Sequence, residues 1–284
     1  MSELAFSKYE AAGNDFLVVE DPQDTRPISA DEAEALCDRW MGVGADGVIR
    51  ITGGAGLPLG FQLTNADGSS AAMSGNGMRC LAAYAHDRGI ASGSEFDVIT
   101  SVGPRHVWLH VDAGRVTSAR VDMGSPGFTK AQIPMIGPAW ETFLDQPFEL
   151  GGGLVVRASA VSMGNPHLVL FLDEDPERFH VEHIGPALER HEWFPERTNV
   201  EFARVGEDGI EVRVWERGAG ETLACGTGAC AVAVAASESD LAPANVSVRF
   251  RGGTLEVERG EDGRVILGGP VRHVFDGTVD LAAA

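Results

Sequence analysis

Ser74 and Cys225 are the two positions on which chemistry in this chain turns. Each heads a glycine-rich turn that runs into an apolar stretch. Met73-Ser74-Gly75-Asn76-Gly77 leads to Leu81-Ala82-Ala83-Tyr84-Ala85, and Ala224-Cys225-Gly226-Thr227-Gly228 leads to Val232-Ala233-Val234-Ala235-Ala236. Strand, turn, helix is the order in which free backbone N–H groups at a helix start can hold an anion, with glycine allowing close approach. The same place stabilises a thiolate, taking a cysteine from ~8.5 into roughly the 3.5–7.5 range. Cys225 therefore stands where a base would be made. A glycine-rich turn beside an incidental buried cysteine is the plainer reading of either motif alone, and its repetition argues against that reading.

The repetition extends further. An offset of 151 positions aligns the two turns, Gly13-Asn14-Asp15-Phe16 with Gly164-Asn165-Pro166-His167, Asn65 with Glu216, and Phe61-Gln62-Leu63 with Val212-Arg213-Val214. One constant offset across separated motifs indicates a tandem duplication. Two like halves suit chemistry that treats both faces of one carbon alike. Polar residues ride on this frame: Asn14, Asn65, Asn165, Asn199, Glu216 and Arg217. Such a set fits a zwitterion, with Arg for a carboxylate and Glu for an ammonium, although turn chemistry accounts for any one asparagine alone. Cys80 lies six residues beyond Ser74, about 9 Å of rise and about 240° of rotation along a helix, and is expected in the core.

The elements that must position these groups follow from patterning. Strands are expected near Leu4–Glu10, Phe16–Glu20, Gly47–Ile51 and Leu59–Thr64. A capping box, Ser29-Ala30-Asp31-Glu32, starts a helix reaching about Trp40. A second helix covers Gly75 to about Arg88, followed by strands at Phe96–Thr100, His106–Val111 and Val116–Val121. Residues 124–152, rich in Gly and Pro, carry the crossing. The second half repeats the plan, with strands near Leu154–Ser162, Leu168–Leu172, Val200–Val205 and Ile210–Glu216, and a short helix near Ile184–His191. The helix Gly226–Ser237, apolar nearly all round, is expected to be surrounded by sheet, and Val246–Phe250, Thr254–Arg259, Val265–Gly268 and Val271–Phe275 complete the strands. The domains are read as 1–124, joined by a C-terminal return of about 272–284, and 125–271.

Composition narrows the partners. The 284 residues carry 42 acidic against 22 basic side chains, a net charge of -20, which disfavours nucleic acid and anionic membrane. No run is long and apolar enough to span a membrane. Four cysteines without a secretory leader point to the reducing cytoplasm. Gly42-Val43-Gly44-Ala45-Asp46-Gly47 spells a dinucleotide fingerprint, but in the order helix, glycines, strand, which places no helix start at a phosphate. His180-Val181-Glu182-His183 reads as an exposed loop, and no metal is assigned. The only lysines, Lys8 and Lys130, lie outside every motif, so a Schiff-base cofactor has no anchor and no cofactor is expected.

Taken together, Gly13-Asn14-Asp15-Phe16, Gly42–Gly47, Asn65-Ala66-Asp67-Gly68, Gly75-Asn76-Gly77-Met78-Arg79-Cys80, Gly164-Asn165-Pro166-His167, Phe194–Asn199 and Glu216–Thr222, ending in Ala224-Cys225-Gly226-Thr227-Gly228, resemble the diaminopimelate epimerase family. The resemblance implies an α/β fold of two pseudo-symmetric domains, each a mainly antiparallel β-barrel-like sheet around a central helix, with the site between them. It implies cofactor-independent interconversion of LL- and meso-diaminopimelate in lysine biosynthesis, with two cysteines on opposite sides of Cα. It also implies that Gly75, Asn76, Gly226 and Thr227 hold the reacting carboxylate. Asn14, Asn65, Asn165, Asn199, Glu216 and Arg217 would bind the diamino dicarboxylate, and His167 and Glu216 would flank the chemistry. A homodimer is compatible with it.

Two departures stand out. The family has Cys where this chain has Ser74, and a glutamine where it has Gly47. A hydroxyl is far less acidic than a thiol, and nothing in the local sequence offers Ser74 a base. Four readings of Ser74 follow. It is an introduced exchange, a slow epimerase relaying water, the mark of a one-base isomerase or dehydratase of the same fold, or the mark of an amino-acid-binding paralogue without turnover.

Overall fold

In the computed structural model, residues 3–54, 56–151 and 153–280 are described. Residues 3–122 with 268–280 form one compact unit, and residues 123–267 form the other.

The first unit begins with β1 (Glu3–Ala11) and β2 (Asn14–Glu20), an antiparallel hairpin. Its two-residue turn places both Ala12 and Gly13 at positive φ, 54° and 83°, the backbone that matches the twist of the flanking strands. Next come α1 (Ala30–Cys37), β3 (Gly47–Gly54), β4 (Leu57–Asn65), the short β5 (Ser70–Ala71), α2 (Gly75–Asp87), β6 (Glu95–Thr100), β7 (Gly103–Asp112) and β8 (Arg115–Gly124). β2 pairs with β3 in parallel, β3 with β4 antiparallel, β4 with β6 in parallel, and β6–β7–β8 antiparallel.

The second unit repeats this grammar. After β9 (Gln146–Gly151) come β10 (Leu154–Ser162), β11 (Pro166–Phe171), α3 (Val181–Glu189), β12 (Asn199–Gly206), β13 (Gly209–Glu216), β14 (Gly220–Thr222), α4 (Gly226–Glu238), β15 (Asn245–Phe250), β16 (Gly253–Arg259) and β17 (Val265–Pro270). β10 pairs with β11 antiparallel, β11 with β12 in parallel, β12 with β13 antiparallel, β13 with β15 in parallel and β15 with β16 antiparallel. The register carries the duplication to single residues. Phe16 lies opposite Gly47 as His167 lies opposite Asn199. Asn199 is thus the counterpart of Gly47, and Glu201 that of Ile49, the second connection being one residue longer. Finally β18 (Arg272–Asp280) returns to the first unit and pairs antiparallel with β1, from Glu3 opposite Asp280 to Glu10 opposite Arg272.

Each unit wraps its sheet around one helix. Gly75–Ala85 of α2 are all buried, as are Ala229–Ala236 of α4. α4 packs on β10, β11, β12, β15 and β16. Alanines there let the strands approach closely, while Val232 and Val234 each gain about 1.5–3 kcal/mol by leaving water.

Some elements differ from the sequence reading. α1 stops at Cys37 instead of about Trp40, because Asp38 Oδ1 accepts from the backbone N–H groups of both Trp40 and Met41 at 2.7 Å. That local bond competes with helix continuation. The segment around His180–His183 is no loop: α3 begins at Val181. The two- and three-residue strands β5 and β14 are too short for periodicity to register, and β9 lay in the stretch without clear pattern.

Asp21, at the end of β2, ties this edge together. It accepts from the backbone N–H of Thr25 and Arg26 and from Arg50 Nη1, at 3.0, 2.7 and 2.5 Å. Burial raises its carboxyl; the two backbone donors and Arg50 outweigh that and hold it at about 2. A depressed carboxyl contributes stability that is full above its unfolded value, ~3.9, and is lost as pH falls toward about 2. Asp21→Asn is expected to cost about 2–3 kcal/mol at pH 7 and to flatten the stability profile between pH 4 and 2, measured by urea unfolding; an unchanged profile refutes the assignment.

Candidate active site

The two chemistry-bearing positions occupy equivalent places, one in each unit. Ser74 is the N-cap of α2, extended at φ -143° and ψ 122°, its Oγ accepting from Gly77 N at 3.1 Å. Cys225 is the N-cap of α4 at φ -127° and ψ 119°, its Sγ accepting from Gly228 N at 3.4 Å. An N-cap side chain satisfies one of the free N–H groups of the first turn. The remaining ones, with the helix dipole, favour an anion.

In the first unit the structure joins Asn14 and Asn76. Asn76 Nδ2 donates to Asn14 Oδ1 at 3.2 Å, and Asn14 Nδ2 donates to Asp46 Oδ2 at 2.5 Å. Arg79, fully buried one turn along α2, donates to Asn76 Oδ1 at 2.8 Å. This chain of bonds starts at a group that can only donate and ends at one that only accepts when ionised, so both amides have a single orientation. Asn65 is held apart from it: its Nδ2 donates to Ser69 Oγ at 3.0 Å within its own turn. Gly47 lies against β4, where an added Cβ would stand 2.9 Å from both Thr64 O and Leu63 Cδ1, so no glutamine fits there without a shift.

The second unit gathers most of the remaining set. Asn165 Nδ2 donates to Thr227 Oγ1 at 3.3 Å, and Thr227 Oγ1 lies 3.5 Å from Cys225 Sγ. His167 Nε2 lies 2.9 Å from Asn165 Oδ1, and its Nδ1 lies 2.6 Å from Glu201 Oε1. Asn199 Oδ1 accepts from Arg217 N at 2.8 Å, and the Arg217 guanidinium donates to Glu196 O at 3.1 Å. Glu216 accepts from Thr222 Oγ1. Burial pushes the Glu216 carboxyl up, against the bonds from Thr222 and Cys225.

The electrostatics of Cys225 reverse one expectation. Cys225 is buried, 5% exposed. Burial first, then the carboxylates of Glu216 and Glu201, push its thiol well above the ordinary range, and the bonds from Thr227 and Gly228 N are outweighed. A helix start lowers a thiol when water or cations share the site; here desolvation and two acidic neighbours prevail. Cys37, Cys80 and Cys230 are buried as well, so exposure does not set Cys225 apart. Cys37 is pushed up to about 12, chiefly by burial.

Sequence reasoning missed Asp46, Arg79, Thr222 and Glu201. Glu201 left a readable signal: one acidic residue inside the apolar run Val200-Glu201-Phe202-Ala203 of a strand. Outside the site, both lysines sit in ion pairs, Lys8 with Asp15 and Lys130 with Glu141, each at 2.7 Å. His180, Glu182 and His183 bring ligand atoms within 4.8 Å of one another on the exposed start of α3, and Glu182 faces Arg213 at 3.6 Å. No helix among the described residues is long and apolar enough to cross a membrane.

Each unit thus carries one N-capped helix with asparagine amides beside its first turn, and the chain as a whole resembles known proteins. The family model described as diaminopimelate epimerase matches residues 6–129 and 159–274. Diaminopimelate epimerase of Pelotomaculum thermopropionicum is 42% identical over 281 residues, covering 96% of this chain and 98% of that one. That of Synechococcus sp. strain JA-3-3Ab is 45% identical over 284 residues, 98% of each chain. A probable proline racemase from Agrobacterium radiobacter K84 shares the fold with a TM-score of 0.69 at 15% identity, over 98% of this chain and 93% of that one. With both halves matched in sequence and in fold, the chain belongs to the diaminopimelate epimerase family of isomerases.

Proposed function

We propose that this chain interconverts LL- and meso-diaminopimelate by proton transfer at Cα, as a step of lysine biosynthesis in the cytoplasm, with Ser74 in the place of the first cysteine. The observation that carries this reading is the matched pair of N-caps, Ser74 on α2 and Cys225 on α4. The reacting carboxylate lies at Gly75-Asn76 and Gly226-Thr227, where free N–H groups stabilise the charge that develops as Cα loses its proton. Asn14, Asn65, Asn165, Asn199 and Arg217 bind the rest of the molecule, and its distal amino-acid end is the specificity handle.

The high thiol of Cys225 has a place in this mechanism. Cys225 rests as a thiol, ready to donate. The substrate ammonium, seated at Glu216, cancels one of the two carboxylate fields that hold the thiol up; the helix start and Thr227 then favour the thiolate. Cys225 thus alternates between donor and base, with Ser74 and a relayed water serving the opposite face.

A second reading has its own support. Glu201 acts on Cys225 through its charge and is bonded to His167, whereas Phe16 and Ile49 hold the corresponding places in the first unit. Acid–base equipment on one side only favours a one-base isomerase or dehydratase, in which one group takes the Cα proton and either returns it to another carbon in a 1,3-shift or passes it to a group leaving from Cβ.

Incubation of this chain with LL- and meso-diaminopimelate in D2O tests both. Deuterium is expected at Cα, followed by NMR, with inversion much slower than exchange. Fast inversion overturns the account of Ser74. Absence of exchange with either isomer removes the substrate assignment.

A further inference from the structure

Under the repeat, two pairs of residues occupy the same place beneath the two N-capped helices. In the first unit the pair is Phe16 and Ile49, both apolar and buried. Ile49 Cδ1 lies 3.3 Å from where a Cβ on Gly77 would stand. In the second unit the pair is His167 and Glu201, both 0% exposed. Glu201 Oε1 lies 2.8 Å from where a Cβ on Gly228 would stand. Gly77 and Gly228 are the third residues of their helices, so the floor is built alike in both units. Only the floor beneath Cys225 is ionisable. A buried ion pair is expensive to desolvate against apolar residues of similar volume, and the other half shows that this scaffold accepts the apolar pair.

We propose that Glu201 is a positioning residue for Cys225, acting through a hydrogen-bonded wire of His167, Asn165 and Thr227; the inference rests on the catalytic reading of Cys225 given above. The wire runs Glu201 Oε1 to His167 Nδ1 at 2.6 Å, His167 Nε2 to Asn165 Oδ1 at 2.9 Å, Asn165 Nδ2 to Thr227 Oγ1 at 3.3 Å, and Thr227 Oγ1 to Cys225 Sγ at 3.5 Å.

Its donor and acceptor roles admit two patterns. As placed, both His167 nitrogens face acceptors, which requires both to carry protons. Asn165 then donates to Thr227, whose hydroxyl donates to a Cys225 thiolate. With the Asn165 amide turned over, His167 Nε2 accepts from it, Thr227 donates to Asn165, and the Cys225 S–H donates to Thr227. The patterns differ by one S–H bond lost and one Nε2–H bond gained. They hold equal numbers of protons and equal net charge. Nδ1–H points to Glu201 in both, so Glu201 keeps the ring in the one orientation that can serve either state. Its carboxylate also stabilises the imidazolium that accompanies the thiolate. Glu201 Oε2 is buried and has no hydrogen-bond partner, so this carboxylate spends its bonding on His167.

A carboxylate that acts only as a nearby negative charge gives the opposite signature, which makes the test a matter of sign. Glu201→Gln removes the charge with little change of shape. If Glu201 were only a charge, its loss would favour the thiolate and speed alkylation of Cys225. If it anchors the imidazolium, alkylation slows by about tenfold, the change in thiolate fraction for one pK unit. The experiment is iodoacetamide alkylation of Cys225 in the full chain at pH 8, followed by peptide mass mapping, for the parent and Glu201→Gln. Cα exchange of diaminopimelate is followed alongside, with kcat expected to fall and KM to hold. Faster or unchanged alkylation overturns the proposal. Thr227→Val cuts the wire at one atom while leaving every charge in place, so it carries the test if Glu201→Gln does not fold. Slower alkylation is expected there, and an unchanged rate overturns the wire. A parent chain that shows no Cα exchange removes the proposed reaction, while the alkylation comparison still decides the role of Glu201.

Discussion

Ser74→Cys is expected to raise the interconversion of LL- and meso-diaminopimelate by about 10²–10⁴-fold, the range that a positioned acid–base group contributes. The backbone is already suited to cysteine, since Ser74 and Cys225 adopt nearly the same extended cap geometry. The gain arises because a hydroxyl is too weak an acid to pass between its charged and neutral forms near neutral pH, whereas a thiol can. The introduced thiol would stand in the unit where Phe16 and Ile49, both buried and apolar, hold the places of His167 and Glu201. The exchange has a cost: sulfur is a poorer cap acceptor than Oγ, and about 0.5–1 kcal/mol of stability should be lost. Polarimetry or coupled detection of the meso isomer reads the outcome. Equal inversion rates in parent and variant would mean that position 74 takes no part in proton transfer.

Cys225→Ala is expected to abolish deuterium incorporation at Cα of either isomer. The loss should reach at least about 10²–10⁴-fold, in the parent and equally in a Ser74→Cys background. Glu216 and Thr227 remain nearby, but the carboxyl accepts from Thr222 and the hydroxyl accepts from Asn165. The fold should survive, because sulfur is a weak acceptor for the bond from Gly228 N, at 3.4 Å, and alanine leaves only a small gap at the cap. Retained exchange at the parent rate, with a native thermal transition, would remove Cys225 from the mechanism.

Much of the frame was legible because duplication writes itself twice. Glycine turns, apolar helices and strand ends recur at a fixed offset, and their strand-turn-helix order placed both caps at helix starts. The capping box at Ser29 was readable for the same kind of reason: its residues act locally, and Ser29 and Glu32 exchange both bonds. Contacts made across strands were not legible. Asp46 reaches Asn14, and Glu201 reaches His167, only because β2 lies parallel to β3 and β11 to β12. No local pattern encodes that adjacency. The state of the Cys225 thiol was misjudged for a related reason. The helix start is visible in sequence, but desolvation and the approach of Glu216 and Glu201 depend on packing. The extent of α1 was misread because Asp38 was treated as a helical position when its side chain competes for the backbone.

The return of β18 to β1 sets an order on biosynthesis. Ser7 Oγ donates to Asp276 Oδ1 at 2.5 Å, across a separation of 269 residues. On the ribosome, the sheet that contains β1 must wait for residues 272–280, whereas residues 123–267 are contiguous and can fold as soon as they emerge. Joining such distant ends costs chain entropy, and a stretch that has already folded has far fewer conformations left to surrender. The half that begins the message is therefore the half completed last, and its nascent strands stay unpaired along one edge while the bearer of Cys225 is already built.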